Sequence, residues 1–167
     1  MKLFVWLALA LLTGLVAPAA AQTRAPLSTV LGAENWLNGR PNAQTFKGKV
    51  VVLDVFTFDC INCKHVVPEL RSLYRNTKRD DLSIIGIHSP ETSYEKQHGN
   101  VVANLALQGI VWPVAIDNDF SLWRAYGVDA WPTQLIFDRH GVLRKTVVGD
   151  SQDDVIAAEV RQLLSER

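Results

Sequence analysis

The sequence predicts one α/β domain in which helices cover both faces of a central, mixed β-sheet. Short, uninterrupted apolar runs, which are typical of strands buried on both faces, alternate with segments whose apolar residues recur at helical spacing. Helical segments separate the early runs, which favours parallel pairing of their strands. Two late runs are separated by a four-residue turn, which favours an antiparallel hairpin.

The composition is that of an ordinary globular domain. The 167 residues include 17 Lys+Arg, 17 Asp+Glu, 48% apolar residues and two cysteines. The charges balance and no run of like charges occurs, so the sequence gives no sign of a basic surface that would bind nucleic acid or an anionic membrane. The apolar content excludes a disordered chain, and two cysteines are too few for a disulfide-stapled miniprotein. Residues 22–33, which are polar and rich in small side chains, are predicted to form a linker, and residues 34–167 the folded domain.

The N-terminal residues 1–21 have the pattern of a secretory signal peptide. Lys2 precedes an uncharged run from 3 to 23, and Pro18 precedes small residues that end at Ala21. This pattern predicts cleavage after Ala21, export and a periplasmic location. The alternative is an uncleaved anchor, because the run is just long enough to cross a bilayer of about 30 Å at about 1.5 Å per residue. Both outcomes place the cysteines where a disulfide can persist.

The elements of the domain are predicted in chain order. A continuous β-branched run predicts a strand over 49–56, and apolar residues at helical spacing predict a helix after Cys60. The same reasoning predicts a strand at 82–88, a helix around 101–106, a strand at 114–116, a short helix over 120–126, a hairpin of strands 135–137 and 142–148, and a helix over 155–164. Asn118 is expected to cap the short helix, and Ser151 with Asp154 to form a capping box at the last helix.

The feature that carries chemistry is Cys60-Ile61-Asn62-Cys63, at the junction between the first predicted strand and the following helix. A C-x-x-C pair in this context indicates a redox pair. At a helix N-terminus the first sulfur meets unpaired backbone N–H groups and the positive end of the helix dipole, which stabilise a thiolate. The spacing therefore predicts Cys60 as the nucleophile and Cys63, one turn later, as the resolving cysteine.

Other sites fit this cysteine pair less well. A purely structural disulfide that closes a loop of about four residues would contribute only about 2 kcal/mol. Haem attachment requires C-x-x-C-H, but Lys64 follows Cys63. Zinc requires four ligands, and Cys60, Cys63 and His65 offer three at most. We expect no metal and no cofactor, although the same three side chains leave open a Cu(I)-binding metallochaperone.

Asp54 lies six residues before Cys60, inside the first predicted strand. A carboxylate in an apolar strand is costly unless it has a partner or a purpose. The functional interpretation is a buried carboxyl with a raised pKa that exchanges a proton with Cys63. The alternative is a residue at the edge of the strand that reaches water.

Trp131-Pro132-Thr133 comes directly before another apolar strand. A proline is unexpected there unless it begins the strand or follows a cis peptide bond. A simple turn proline is the alternative. Pro68, in the middle of the helix that follows Cys60, is expected to kink that helix.

Together these residues resemble the thioredoxin superfamily, and more closely its exported TlpA/DipZ-like branch, which is related to the redoxins of the AhpC/TSA type. The resemblance rests on several segments: 53–57, 60–63, Pro68, 87–91, 113–126 and Trp131-Pro132. It implies a thioredoxin-like fold with an extra helical insertion at 89–108. It also implies a thiol-disulfide oxidoreductase that reduces disulfides of exported proteins, takes electrons from a membrane-bound donor and supports cytochrome c maturation.

The resemblance also assigns roles around the cysteine pair. Pro132 would be a cis-proline beside the pair that helps to hold an extended substrate segment by backbone pairing. Trp131, Ile61 and Asn62 would contact that substrate. The membrane would be contacted only through the N-terminal segment, if it is retained.

Three features leave alternatives open. Asp59 stands where many thioredoxin-like proteins carry Trp, and an acid there either opposes the Cys60 thiolate or is simply solvated. His65 is either a switch near neutral pH or an exposed helix residue without a role. Thr57 and Cys60 form the T-x-x-C signature of a peroxiredoxin-like peroxidase, although Leu53 stands where that motif has Pro.

Overall fold

The computed structural model of the chain describes residues 24–166. The predicted signal peptide, residues 1–21, lies outside these residues. Within 24–166, none of the helices combines the length and the apolar character that crossing a membrane requires.

One six-stranded sheet organises the described residues. The elements are a 3₁₀ helix (Leu27–Gly32), β1 (Trp36–Leu37), α1 (Ala43–Phe46), β2 (Val50–Phe56), α2 (Ile61–Asn76), β3 (Leu82–His88), α3 (His98–Gln108), β4 (Val114–Ile116), α4 (Ser121–Ala125), β5 (Thr133–Phe137), β6 (Leu143–Val148) and α5 (Asp153–Ser165). The strands lie in the order β1-β4-β3-β2-β5-β6. β2 pairs with β3 and β3 with β4 in parallel, whereas β1, β5 and β6 are antiparallel to their neighbours. The predicted mixed sheet and late hairpin are confirmed.

The central strand β2 is buried on both faces, as its uninterrupted apolar run predicts. Side chains alternate between the faces. Val52 and Phe56 pack in the core that α2 and α5 cover, whereas Leu53 and Val55 pack in the core under the 3₁₀ helix and α4. By this alternation Asp54 belongs to the face that α2 covers.

Residues 24–33, which were expected to be part of a linker, instead pack against the domain. Leu27 and Val30 are buried because the turn of the 3₁₀ helix places both apolar side chains on the sheet side. The hydroxyl of Tyr126 accepts a hydrogen bond from the N–H of Val30 at 2.9 Å and lies 3.1 Å from the carbonyl of Leu27. Because the segment is polar overall, its two buried apolar residues, Leu27 and Val30, were not recognised from the sequence.

The start of α4 differs from the expected cap. The carboxylate of Asp117, rather than the side chain of Asn118, accepts hydrogen bonds from the N–H groups of Leu122 at 2.9 Å and Trp123 at 3.0 Å. Asp117 is buried and Asn118 is exposed. The predicted Asn118 cap is therefore wrong, since the buried acid at the end of β4 reaches the same N–H groups first.

The start of α5 also differs. The helix begins at Asp153 after Gln152, whose side chain makes no capping hydrogen bond. Ser151 has a left-handed φ of 57° and stands one position before the cap. The predicted capping box is therefore wrong, because a capping Ser requires extended backbone at the residue next to the helix.

Tyr126→Phe is expected to lower the free energy of unfolding by about 1–2 kcal/mol, because the buried N–H of Val30 loses its acceptor. Urea unfolding of the reduced protein measures this. Tyr94→Phe is the control, since the ring of Tyr94 is 55% exposed, and its effect should stay within about 0.5 kcal/mol. Equal, small effects of the two variants would show that residues 24–33 do not depend on this anchor.

Candidate active site

The cysteine pair begins α2. Cys60 is the residue that caps the helix, and its Sγ accepts a hydrogen bond from the N–H of Cys63 at 3.2 Å. Both cysteines are free thiols. Cys60 is half-buried, whereas Cys63 is only 3% exposed. The helix N-terminus therefore supports negative charge on the accessible sulfur and leaves the second sulfur in the core.

The surroundings of Cys63 oppose its ionisation. Burial raises the pKa of its thiol well above the usual range, and the hydrogen bond and charge of Cys60 and the charge of Asp54 raise this pKa further. The backbone of Thr57 acts in the opposite direction and lowers this pKa. At neutral pH Cys63 is a thiol, and it needs a proton acceptor before it can act as a nucleophile.

Asp54 is a buried carboxyl in the middle of β2, with 2% of its surface exposed. The interpretation as a residue at a strand edge is wrong, because β2 is flanked by β3 and β5. Gln134 lies opposite Asp54 on β5, and its Nε2 donates to Oδ1 at 2.8 Å. Burial raises the pKa of Asp54 to about 6, although the Gln134 hydrogen bond lowers it. The carboxyl can therefore gain and lose a proton near neutral pH.

The peptide bond between Trp131 and Pro132 is cis, as one of the sequence interpretations requires. The indole Nε1 of Trp131 donates to the carbonyl of Ser89 at 3.0 Å. Its ring packs on that of Trp123, with centroids 4.3 Å apart. Both Trp131 and Cys60 pack against the core on the α2 side of the sheet. The loop before β5 is thus fixed by Ser89 and Trp123, and it packs against the same core as the start of α2.

Ile61 and Asn62 form the exposed surface of the first turn of α2. Ile61 is 63% exposed, and Asn62 is exposed as well. A large apolar side chain at this position costs free energy in water unless another molecule covers it. The first turn of α2 therefore presents a surface beside the accessible sulfur.

The charges next to Cys60 partly cancel. Lys64 Nζ lies 3.0 Å from Asp59 Oδ1, and the side chain of Asp59 is 64% exposed. An exposed pair of this kind contributes little to stability. It does provide a cation close to the acid that precedes Cys60.

His65 is separate from the cysteine pair. Its Nδ1 lies 2.9 Å from the Asp150 carboxylate at the surface. Within residues 24–166, no three His, Cys, Asp or Glu side chains are grouped so that they could hold a metal ion. The Cu(I) alternative, which needs His65 together with both sulfurs, therefore receives no support from the described residues.

Sequence reasoning missed two polar partners of the site. Gln134 could have been noticed as an amide inside an apolar strand, like Asp54. Glu95 lies in the segment between β3 and α3, where no pattern marks it, yet its buried carboxylate accepts from the hydroxyl of Thr57 and the N–H of Asp59. It thus holds the loop that leads to Cys60.

Comparison with known proteins shows similarity to one protein family and to several thiol-disulfide redox proteins. The sequence profile of the AhpC/TSA family matches residues 22–146. Protein DipZ of Mycobacterium tuberculosis is 35% identical over 139 residues, which are 81% of this chain but 20% of DipZ. The thiol-disulfide oxidoreductase YkuV of Bacillus subtilis is 26% identical over 144 residues, which cover 86% of this chain and 97% of YkuV.

A crystal structure of a thiol-disulfide isomerase from Corynebacterium glutamicum superposes with a TM-score of 0.70 at 26% identity, covering 81% of this chain and 94% of that one. The similarity thus extends over nearly the whole length of two small proteins. By contrast, the chain spans about a fifth of the length of the DipZ proteins.

Asp54→Asn is expected to raise the free energy of unfolding of the reduced protein at pH 7 by about 2–3 kcal/mol. The pKa of Asp54, about 6 in the folded protein, lies above its ordinary value of 3.8. The folded state therefore binds this proton more tightly than the unfolded state, and stability is lost as the pH rises from about 4 to about 6. Asn remains neutral and avoids this loss.

Urea unfolding between pH 4 and pH 7 measures the effect. The difference between Asp54→Asn and the original protein should be small at the acidic end and grow towards neutrality. Asp59→Asn is the control, because that carboxylate is exposed, and its difference should stay flat. Parallel stability curves for Asp54→Asn and the original protein would contradict the raised pKa.

Proposed function

This chain belongs to the AhpC/TSA family and has the thioredoxin-like fold and the cysteine pair of a thiol-disulfide oxidoreductase, and from this premise we propose that it reduces disulfides of exported proteins. The observation that carries the proposal is the unequal placement of the two sulfurs at the start of α2. The half-buried Cys60 can reach a client, whereas the buried Cys63 can attack only what Cys60 has captured.

The exchange takes two steps. The Cys60 thiolate attacks one sulfur of a client disulfide, the client S–S bond breaks, and the other client sulfur leaves as a thiolate. Cys63 then loses its proton to the Asp54 carboxylate and attacks Cys60 Sγ. The bond between Cys60 and the client breaks, and its electron pair leaves with the second client sulfur. Two electrons pass to the client, and Cys60 and Cys63 end as a disulfide.

We assign the client contacts to Ile61, Asn62 and the loop of Trp131 and Pro132. Pro132 has no N–H, and its carbonyl already accepts from Gly149 at 2.9 Å. Within residues 24–166, neither backbone group of Trp131 is engaged by another backbone group. Backbone pairing with an extended client therefore falls to Trp131, while Pro132 sets the direction of the loop.

The location and the electron source extend this proposal. The signal-peptide pattern of residues 1–21 supports export to the periplasm, as a cleaved domain or with an N-terminal anchor. A reductant outside the cytosol must be re-reduced there, which requires a membrane-bound electron donor. Support of cytochrome c maturation rests on the resemblance to the TlpA/DipZ-like branch alone.

The peroxidase alternative has a less suitable site. In T-x-x-C the hydroxyl of Thr57 would have to serve a peroxide bound at Cys60. That hydroxyl instead donates to the buried carboxylate of Glu95. Rapid, saturable consumption of hydrogen peroxide with a sulfenic acid at Cys60 would reverse this preference.

Cys63→Ser is expected to accumulate a mixed disulfide when it is treated with oxidised glutathione, because nothing resolves the adduct at Cys60. Cys60→Ser should form no such adduct under the same conditions, since its remaining sulfur is buried. Intact-protein mass after acid quenching measures both. A Cys63→Ser protein that forms no adduct, or a Cys60→Ser protein that forms as much, would contradict the assigned order of attack.

The reduction potential tests the direction of electron flow. The protein is equilibrated in defined glutathione buffers, and its free thiols are counted by alkylation and mass. We expect a potential of about −200 mV or below, which fits a reductant. A potential near about −120 mV would instead make the protein an oxidant of exported proteins.

A further inference from the structure

Phe120, Trp123 and Trp131 form an aromatic cluster between the start of α4 and the loop before β5. The ring of Trp131 packs on that of Trp123, with centroids 4.3 Å apart. The ring centroid of Phe120 lies 5.9 Å from that of Trp123 and 6.5 Å from that of Trp131. All three residues are half-buried, so each keeps part of its surface open to solvent.

The aromatic cluster lies at the edge of the sheet where the cysteine pair begins. β5 runs antiparallel to β2, so the loop before β5, which contains Trp131, lies at the carboxyl end of β2. The indole of Trp131 donates to the carbonyl of Ser89 at 3.0 Å, and the N–H of Ser89 donates to the carbonyl of Phe56 at 2.9 Å. Phe56 ends β2, and Cys60 follows four residues later. The cluster is therefore tied to the strand that leads into Cys60.

A buried polar pair fixes the two indoles relative to each other. The carboxylate of Asp117 accepts from the N–H of Trp123 at 3.0 Å and from the hydroxyl of Ser89 at 2.8 Å. Asp117 and Ser89 are both buried. The carbonyl of the same Ser89 holds Trp131, so Ser89 connects the two indoles. A surface that is fixed in advance loses less conformational entropy when a partner binds to it.

Phe120 contributes little to the folded core. Among residues 24–166 it belongs to neither apolar core, whereas Trp131 packs on the core that α2 covers and Trp123 on the opposite one. Its φ of 60° and ψ of 25° are left-handed, a conformation that large side chains rarely adopt. The cap of α4 does not need the phenyl ring, because Asp117 accepts from the N–H groups there. A ring held at a conformational cost and outside both cores is typical of a functional surface.

We propose that the aromatic cluster is a specificity surface for the client and selects segments that carry an aromatic side chain beside the cysteine under attack. The inference rests on the proposed function and deepens it, because it names the class of client. Trp131 is already assigned to the client, so the cluster continues that contact onto α4. Exposed rings accept a further ring in edge-to-face or offset geometry, which stabilises the contact beyond its buried area. The exposed Ile61, directly after Cys60, offers such a client a second apolar contact.

Competition between peptide disulfides tests this proposal. The peptides are identical except that the residues on both sides of the cysteine are Phe in one, Leu in the second and Ser in the third. The reduced full chain with Cys63→Ser meets all three at equal concentration, and acid stops the reaction at low conversion. Intact-protein mass then gives the ratio of the adducts at Cys60. This ratio reports recognition, because a loss of reactive protein lowers all adducts equally.

Phe120→Asn separates recognition from folding. Asn adopts left-handed φ readily, so the substitution removes the ring and relieves the backbone. Trp123→Leu keeps an apolar side chain but removes the indole. Trp36→Leu is the matched control, because Trp36 is half-buried against the same core as Trp123. It lies on the edge strand β1, with β4 and β3 between it and β2.

With Cys63→Ser alone, the Phe peptide should be preferred to the Ser peptide about tenfold, the effect of one aromatic pair, and the Leu peptide should lie between them. Adding Phe120→Asn or Trp123→Leu should lower this preference to about twofold or less, because the ring that pairs with the client is lost. Phe120→Asn should leave the urea midpoint unchanged or raise it. Trp36→Leu should leave the preference unchanged.

Several results would overturn the inference. A full preference in Phe120→Asn, or an equal loss of preference in Trp36→Leu, would show that the cluster does not recognise the client. Equal adducts of the Phe and Leu peptides would reject aromatic specificity. A dimer that dissociates in Phe120→Asn, measured by sedimentation velocity, would assign the surface to a second copy of the chain. If the original protein reduces none of the three peptide disulfides, the proposed function itself is wrong.

Discussion

The exclusion of water between β2 and the first turn of α2 controls this site. Cys63 and Asp54 are both buried there, and burial opposes the charged form of each. Each charge also opposes the other, since the charge of Asp54 raises the pKa of Cys63. Transfer of one proton from Cys63 to Asp54 keeps the number of buried charges at one. Burial therefore couples the two groups, because it penalises the state in which both are charged.

The sheet provides this environment because β2 is central and has a neighbour on each side. Gly86 lies opposite Asp54 on β3. A Cβ at this position would be 2.9 Å from a side-chain carbon of Val114 and 3.0 Å from one of Phe56, which is too close, so the packing here favours glycine. On β5 the neighbour is Gln134, which supplies one neutral donor. One such donor fixes the orientation of the carboxyl but does not offset its desolvation, which is why the pKa of Asp54 stays raised.

Local sequence patterns were sufficient for the longer strands and helices and for the cysteine pair, but they did not predict the 3₁₀ helix, β1 or α1. The strands at 82–88 and 114–116 were predicted with their observed limits, because uninterrupted apolar runs mark buried strands. The acid inside the first run, and the proline before a strand, could also be recognised from their immediate neighbours. These features depend on residues that are adjacent in the chain.

Features that depend on distant partners could not be predicted in this way. Gln134 meets Asp54 across 80 residues, and Glu95 meets Thr57 across 38. The packing of 24–33 depends on Tyr126, about a hundred positions later. At α4 the choice between neighbouring candidates Asp117 and Asn118 depends on which side chain the end of β4 turns inward. Hydrogen-bond partners of this kind become defined only when the sheet order is known.

The two buried carboxyls near the cysteines show how environment divides their roles. Asp54 receives one hydrogen bond, from a neutral amide, and its pKa rises to about 6. Glu95 receives four, three of them from backbone N–H groups, and its pKa falls. A carboxyl of the first kind can take up a proton during a reaction, whereas one of the second kind keeps its charge and fixes the groups that donate to it. The donors around each carboxyl, together with its burial, decide which carboxyl can move a proton and which holds the loop.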